Sequence, residues 1–309
     1  MEIFEHVKRN NLFELKKYLQ FGDINIINSN SKSLLHYSVE FKAIDCINLL
    51  VDNYINLNLK DIKQQTPIFD AAIKGNLGIL KLLIKSGCDV NVTDEYGNIP
   101  LFYAIKTNNV AIVDLLTIHS DLSIRNNKKE DALFIAIKFK YNNIDKFINN
   151  NLNIMNYQNE TALFYAVKYN NLTLLKEYCN RYLINQKNLN KETLFFYAVK
   201  YSSRDVIRFL LEFMPCLDIT NRYGETLFEI VKLNCYKIED LIDNYKYSLE
   251  YINYKSNNKI IYNYLSNNEI NLPISKIILN KKDNFSLSLI DYLNFYNDKE
   301  NIKKVAKVL

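Results

Sequence analysis

The sequence runs to 309 residues with a formal net charge of +5, from 39 Lys and Arg against 34 Asp and Glu. That length holds one large domain, two ordinary ones or a long repeat array, and the basic excess is too small for a dedicated nucleic-acid binder. With 48% hydrophobic and 24% charged residues, and apolar positions interleaved through its Asn-rich stretches, the chain reads as packed and not as disordered.

At the N-terminus, "MEIFEHVKRNNLFELKKYL" is charged throughout and lacks the apolar core of a signal peptide. Its Ile3 is the first of a series of apolar markers. The others stand at Leu35, Ile68, Leu101, Leu133, Leu163, Phe195, Phe228, Ile261 and Ile290, in steps of 32, 33, 33, 32, 30, 32, 33, 33 and 29. A period of this size is the mark of stacked structural repeats. About ten units then fill the chain, the first, ninth and tenth being degenerate.

Each unit repeats one plan. Two residues before the marker stands a helix N-cap: Ser33, Thr66, Asp131, Thr161, Thr193, Thr226 or Ser288. Pro67 and Pro100 follow at the first helical position, where a missing N–H costs nothing. The short first helix carries a small residue at Ser38, Ala71, Ala104, Ala136, Ala166 and Ala198, which lets neighbouring units approach closely. After a polar break such as "KGN" or "TNN", apolar residues at helical spacing predict a second helix in "ILKLLI", "IVDLL" and "VIRFLL". An Asn, Asp and Gly-rich turn leads on, with Gly97, Gly224 and Asn159 at positions expected to be left-handed.

This plan resembles the ankyrin repeat. The unit "QTPIFDAAIKGNLGILKLLIKSGCDVN" keeps that family's T-P-L-x-x-A-A, Gly-Asn break, Leu-Leu pair and G-x-D-V-N ending, and "SLLHYSVE" keeps its first-helix His as His36. The resemblance covers residues 28 to 252 well, although most units lack the Pro and the turn Gly, and Asp70 stands where an apolar residue is usual. It implies an all-α ankyrin solenoid, with residues 1–252 as the array and 253–309 as degenerate C-terminal capping repeats.

No motif for chemistry stands out. His6, His36 and His119 have no Cys, His or carboxylate partner at metal-ligand spacing, and His36 reads as a structural hydrogen-bonding residue. Cys46, Cys88, Cys179, Cys216 and Cys235 form no Cys-x-x-Cys pair and read as reduced core residues. Phosphate-binding loops and nucleophile elbows are absent, and the repeats leave no room for a catalytic domain, so neither an enzyme nor a cofactor is expected. No apolar run approaches the roughly 18 residues of a membrane span. The cytoplasm is the expected compartment, a host cell's if the source is a virus or a secreting bacterium. The heavy use of Asn, Lys, Ile and Tyr reads as the signature of an AT-rich gene.

One pattern exceeds what folding needs. Lys106, Lys138, Lys168, Lys200 and Lys232 recur at one register, and Phe139, Tyr169 and Tyr201 follow three of them. The resemblance implies that this register faces a concave groove. A partner protein with an acidic surface is the expected occupant of that groove and of the turn tips, the aromatics anchoring and the lysines steering. A solubilising role is the bland alternative. Nucleic acid is disfavoured, because Glu130, Glu160, Glu192 and Glu225 read as an acidic row along the turns. Near the end, "LPISKIIL" (272 to 279) is similar to the start of the F-box-like segment of poxvirus ankyrin proteins, which implies as an alternative an adaptor to a ubiquitin ligase. Two capping units fit the same residues at least as well.

Overall fold

A computed structural model describes residues 2–148, 151–201, 204–213, 219–227 and 229–230. The chain divides into two compact units, Met1–Tyr157 and Gln158–Leu309. Among the described residues every regular element is a helix, and extended pairing is confined to three isolated bridges. The units expected around Ile261 and Ile290, the capping segment 253–309, "LPISKIIL", Ser288, Lys232, Cys216 and Cys235 lie outside the described residues.

In the first unit, helices α1 (Glu2–Lys8), α3 (Leu34–Glu40), α5 (Pro67–Ile73), α7 (Pro100–Lys106) and α9 (Ala132–Lys138) pack each on the next. Behind them lie α2 (Leu12–Leu19), α4 (Ile44–Asp52), α6 (Leu77–Lys85) and α8 (Val110–His119), each paired with the first helix of its own repeat. In the second unit α10 (Ala162–Lys168) packs on α13 (Leu194–Tyr201), with α11 (Leu172–Tyr178) and α14 (Arg204–Leu211) as their second helices and a single turn, α12 (Arg181–Ile184), before α13.

The markers are the core of this arrangement. Ile3, Leu35, Ile68, Leu101, Leu133, Leu163 and Phe195 are all buried, as are Ser38, Ala71, Ala104, Ala136, Ala166 and Ala198. One repeat departs from the plan. Where the marker step shortens to 30, the second helix shrinks to a 3-10 turn, Ile144–Phe147. Phe147 still reaches the core there, its ring centroid 6.1 Å from that of the buried Tyr141, so a deletion is absorbed in helix length while the hydrophobic contact survives.

The caps divide by mechanism. Ser33, Asp131, Thr193 and Thr226 accept first-turn amides through their side chains. Thr66 and Thr161 do not: the amide three residues on is taken by the residue's own carbonyl, at 3.0 Å in each case, which tightens the first turn without the hydroxyl. His36 completes the Ser33 cap. The Ser33 amide donates to Nδ1 at 3.1 Å, so Nδ1 is the acceptor, and the proton sits on Nε2, 3.0 Å from the Gln65 carbonyl. Burial holds the His36 pKa below its ordinary value.

The left-handed turn position is occupied in every described repeat, by Ser31, Gln64, Gly97, Lys129, Asn159, Lys191 and Gly224. Most of these are not glycine. Gly97 is required for a second reason: a Cβ there would lie 2.8 Å from the Asn127 backbone nitrogen.

Candidate protein-binding site

The turns are built on one polar motif. Asn28, Asp61, Asp94, Asn126, Asn188 and Asn221 each accept two amides through a single side-chain oxygen, from the residues two and four positions on, at 2.8–3.0 Å. Backbone bonds then tie turn to turn, from Ile62 to Asn30, Glu95 to Lys63, Asn127 to Tyr96 and Tyr157 to Lys128 in the first unit. Leu189 to Gln158 and Arg222 to Asn190 do the same in the second. The asparagines assigned above to gene composition are thus structural. Their short amide accepts locally and tolerates turn geometry, which is the chemistry a turn needs. Others cap second helices, as Asn11, Asn76, Asn109 and Asn171 do.

The acidic row is overturned as a surface feature. Glu130, Glu160 and Glu192 are 2%, 4% and 1% exposed. A glutamate at the fifth position of the turn motif receives the amide of the first: Asn126 to Glu130 at 3.0 Å, Asn188 to Glu192 at 3.1 Å and Asn221 to Glu225 at 2.6 Å. Tyr197 also bonds Glu160. In the earlier turns the two roles are exchanged, with buried Asp61 and Asp94 first and Gln65 and Asn98 fifth. Tyr103 donates to Asp94 at 2.6 Å, and burial together with that carboxylate pushes its phenol up to about 12. Either order leaves one carboxylate in the turn, ahead of a helix N-terminus where negative charge is favoured. The Asn28 turn, with Lys32 at its fifth position, carries none.

The lysine register is divided by these acids. In the second unit Lys200 is only half exposed and bonds the buried Glu192 at 3.1 Å. Burial opposes its charge, but that carboxylate outweighs burial and holds the Lys200 pKa above its ordinary value. Lys200, one of the lysines expected at the groove, is thus engaged within the chain. Lys106 and Lys168 are exposed and Lys138 half-buried, and among the described residues none of the three has an ion pair. Instead each lies over a ring: Lys106 and Lys138 at 5.5 and 5.7 Å from the Phe139 centroid, Lys168 and Lys200 at 5.5 and 5.3 Å from Tyr201. Lys8 over Phe41, at 5.0 Å, is an earlier instance. The structure thus gathers Lys106, Lys138 and Phe139 in the first unit, and Lys168, Lys200 and Tyr201 in the second. Tyr169 is half-buried with its ring 5.8 Å from Tyr165.

A cleft of about 240 Å³ opens in the first unit between the turns and the first helices. Lys106, Lys138 and Phe139 line it, joined by Tyr96, Tyr103 and Lys128, which the register pattern does not pick out. Tyr96 belongs to a second series, the exposed turn tips Ile62, Tyr96, Tyr157, Leu189 and Tyr223. Their signal was in the sequence: each stands one or two places after the Asn or Asp that opens its turn.

Among the described residues no group of His, Cys, Asp and Glu is placed to hold a metal, and no helix is long and apolar enough to cross a membrane. Cys46, Cys88 and Cys179 are free and buried, and burial pushes their thiols up to about 11, 12 and 12.

Known proteins repeat this plan. The chain is 36% identical to an ankyrin repeat protein of Fowlpox virus over 100 residues, 32% of this chain and 14% of that one. It is 32% identical to one of Acanthamoeba polyphaga mimivirus over 115 residues, 35% of this chain and 15% of that one. It is also 32% identical to one of Borreliella burgdorferi over 105 residues, 34% and 23% of the two chains. The matches thus span less than a quarter of each of these relatives. The family described as ankyrin repeats in three copies matches at residues 3–94, 68–155, 101–185 and 133–223, an overlapping series through most of the chain that coincides with the helix pairs and turns described here. The chain belongs to the ankyrin repeat family.

Proposed function

We propose that this protein is a non-enzymatic binding module that holds a partner protein against the ends of its first helices and its turn tips. Ankyrin repeats mediate protein–protein interaction in general, and the observation that carries the reading here is the uncommitted cations. Lys106, Lys138 and Lys168 lie over aromatic rings without an ion pair among the described residues, whereas Lys200 is held by Glu192. The partner would present an acidic surface. Exposed cations steer such encounters, and the aromatic rings beneath them hold the complex. A host-directed role in a reducing cytoplasm is supported by the viral and bacterial relatives and by the three buried free thiols.

The test is affinity capture with the full chain, followed by rate measurements on the partner recovered. Reversal of Lys106, Lys138 and Lys168 to Glu should slow association at least tenfold, and Phe139→Ala with Tyr201→Ala should chiefly speed dissociation. Unchanged rates in both sets would reject this surface. Salt-dependent binding of mixed oligonucleotides, abolished by the same lysine reversals, would instead favour nucleic acid.

A further inference from the structure

Resting on that protein-binding reading, we infer that the cleft of the first unit is the specificity pocket, and that it takes a short acidic and apolar peptide segment, a Glu or Asp within three residues of a Phe, Leu or Ile. Three observations lead there. The first is size. At about 240 Å³ the cleft is smaller than the roughly 300–1,000 Å³ typical of small-molecule sites, so it suits one or two side chains of a segment laid across it.

The second is charge. Lys106, Lys128 and Lys138 face a single lining carboxylate, Glu130, which is buried and already accepts the Asn126 amide. Two of the ammonium groups share the Phe139 ring and have no ion pair among the described residues. An incoming anion therefore meets cations whose partner among the described residues is the face of a ring. It can add to that contact, because a carboxylate approaches an ammonium from the side away from the ring.

The third is the wall. Phe102, Ile135 and Phe139 give the cleft an apolar side, so an anion alone would leave it unfilled. Between carboxylate and phosphate, the lining favours the former: it contains no arginine, the residue whose fork matches a phosphate dianion, and its lysines act as point charges. The second unit offers Lys168 and Tyr201 for steering, but the other cation over that ring, Lys200, is taken by Glu192.

The experiment measures fluorescence polarisation of labelled ten-residue peptides with the full chain. The peptides carry one Glu and one Phe at spacings of one to three, with Gln-for-Glu and phosphoserine-for-Glu counterparts. A Glu–Phe peptide should bind, and Lys106→Glu with Lys138→Glu should weaken it at least tenfold, as should the Gln counterpart. Lys106→Gln with Lys138→Gln, which reverses no charge, should weaken it severalfold, and thermal melts of both variants verify folding. Lys168→Glu should change it less than twofold. Tighter binding of the phosphoserine peptide overturns the carboxylate assignment. Loss on Lys168→Glu with no loss in the cleft variants overturns the cleft but leaves the protein-binding reading intact. Absence of any peptide binding, together with a captured partner that ignores every lysine variant, overturns both.

Discussion

The turn acids and the helix-end lysines each recur through successive repeats, yet they have opposite fates. Most of the acids lie within the protein, Glu130, Glu192 and Glu225 each held by the side-chain amide four residues earlier, while most of the lysines stay at the surface over a ring. Recurrence alone does not separate a structural row from a binding row. What separates them is the partner each finds in the fold. Glu130, Glu192 and Glu225 take the side-chain amide of the Asn four residues earlier, whereas Lys106, Lys138 and Lys168 have no ion pair among the described residues. This holds although Glu130 and Glu160 precede Lys138 and Lys168 at the same spacing as Glu192 precedes Lys200.

The sharpest test exchanges the turn roles. Asn126→Asp alone would set two carboxylates against each other in a buried turn and should destabilise the protein by about 3 kcal/mol. Adding Glu130→Gln recreates the Asp61–Gln65 order and should recover most of that loss, a double-mutant cycle read by chemical denaturation. Failure to recover would mean that the order is specific in each acid-bearing turn and that one carboxylate in either position is not the governing rule.

A second test compares two lysines of one register. Lys200→Ala leaves the buried Glu192 without its cation and should cost about 1.5 kcal/mol, discounted because Lys200 is itself partly solvated. Lys168→Ala removes only a cation over an exposed ring, about 0.5 kcal/mol. Equal losses in thermal or urea unfolding would erase the distinction between committed and uncommitted lysines.

A smaller effect follows pH. Because folding lowers the His36 pKa, the unfolded chain binds this proton more readily. The stability that His36 contributes is therefore complete above its ordinary value of 6.5 and declines as pH falls below it. His36→Gln should flatten that part of the stability profile. A slope unchanged by the substitution would assign it to other groups. The smallest expected change is none: after denaturation, without reductant, the chain should take up one alkylating label on each of its 5 cysteines. Fewer labels would reveal a disulfide.

The repeat period, the described markers and the left-handed turns at Gly97, Asn159 and Gly224 were legible in the sequence because each is a local requirement that a residue type answers directly. The left-handed turns at Ser31, Gln64, Lys129 and Lys191 were not legible, since nothing in those side chains favours that conformation. The buried acids were not, since Glu is usually exposed and only its bond to the Asn four residues earlier reveals its burial. The loss of the second helix after α9 was announced by the step of 30, although the spacing alone does not say which element gives up the residues. The lysine register was legible as a row. That Lys200 belongs to the structure and Lys106 to the surface depends on which carboxylates are within reach, a tertiary fact.

The turn network also bears on how the protein would look to solvent protons. Surface loops ordinarily exchange their amide hydrogens fastest, because water is their hydrogen-bond partner. Here the amides of Gln65, Asn98, Glu130 and Glu192 are each locked to a side-chain oxygen, and those of Glu95 and Asn127 to the preceding turn. The tips of this molecule should therefore carry a regular series of slow amides, spaced by the repeat. An isotope-exchange map would show the array's period from its loops as well as from its helices.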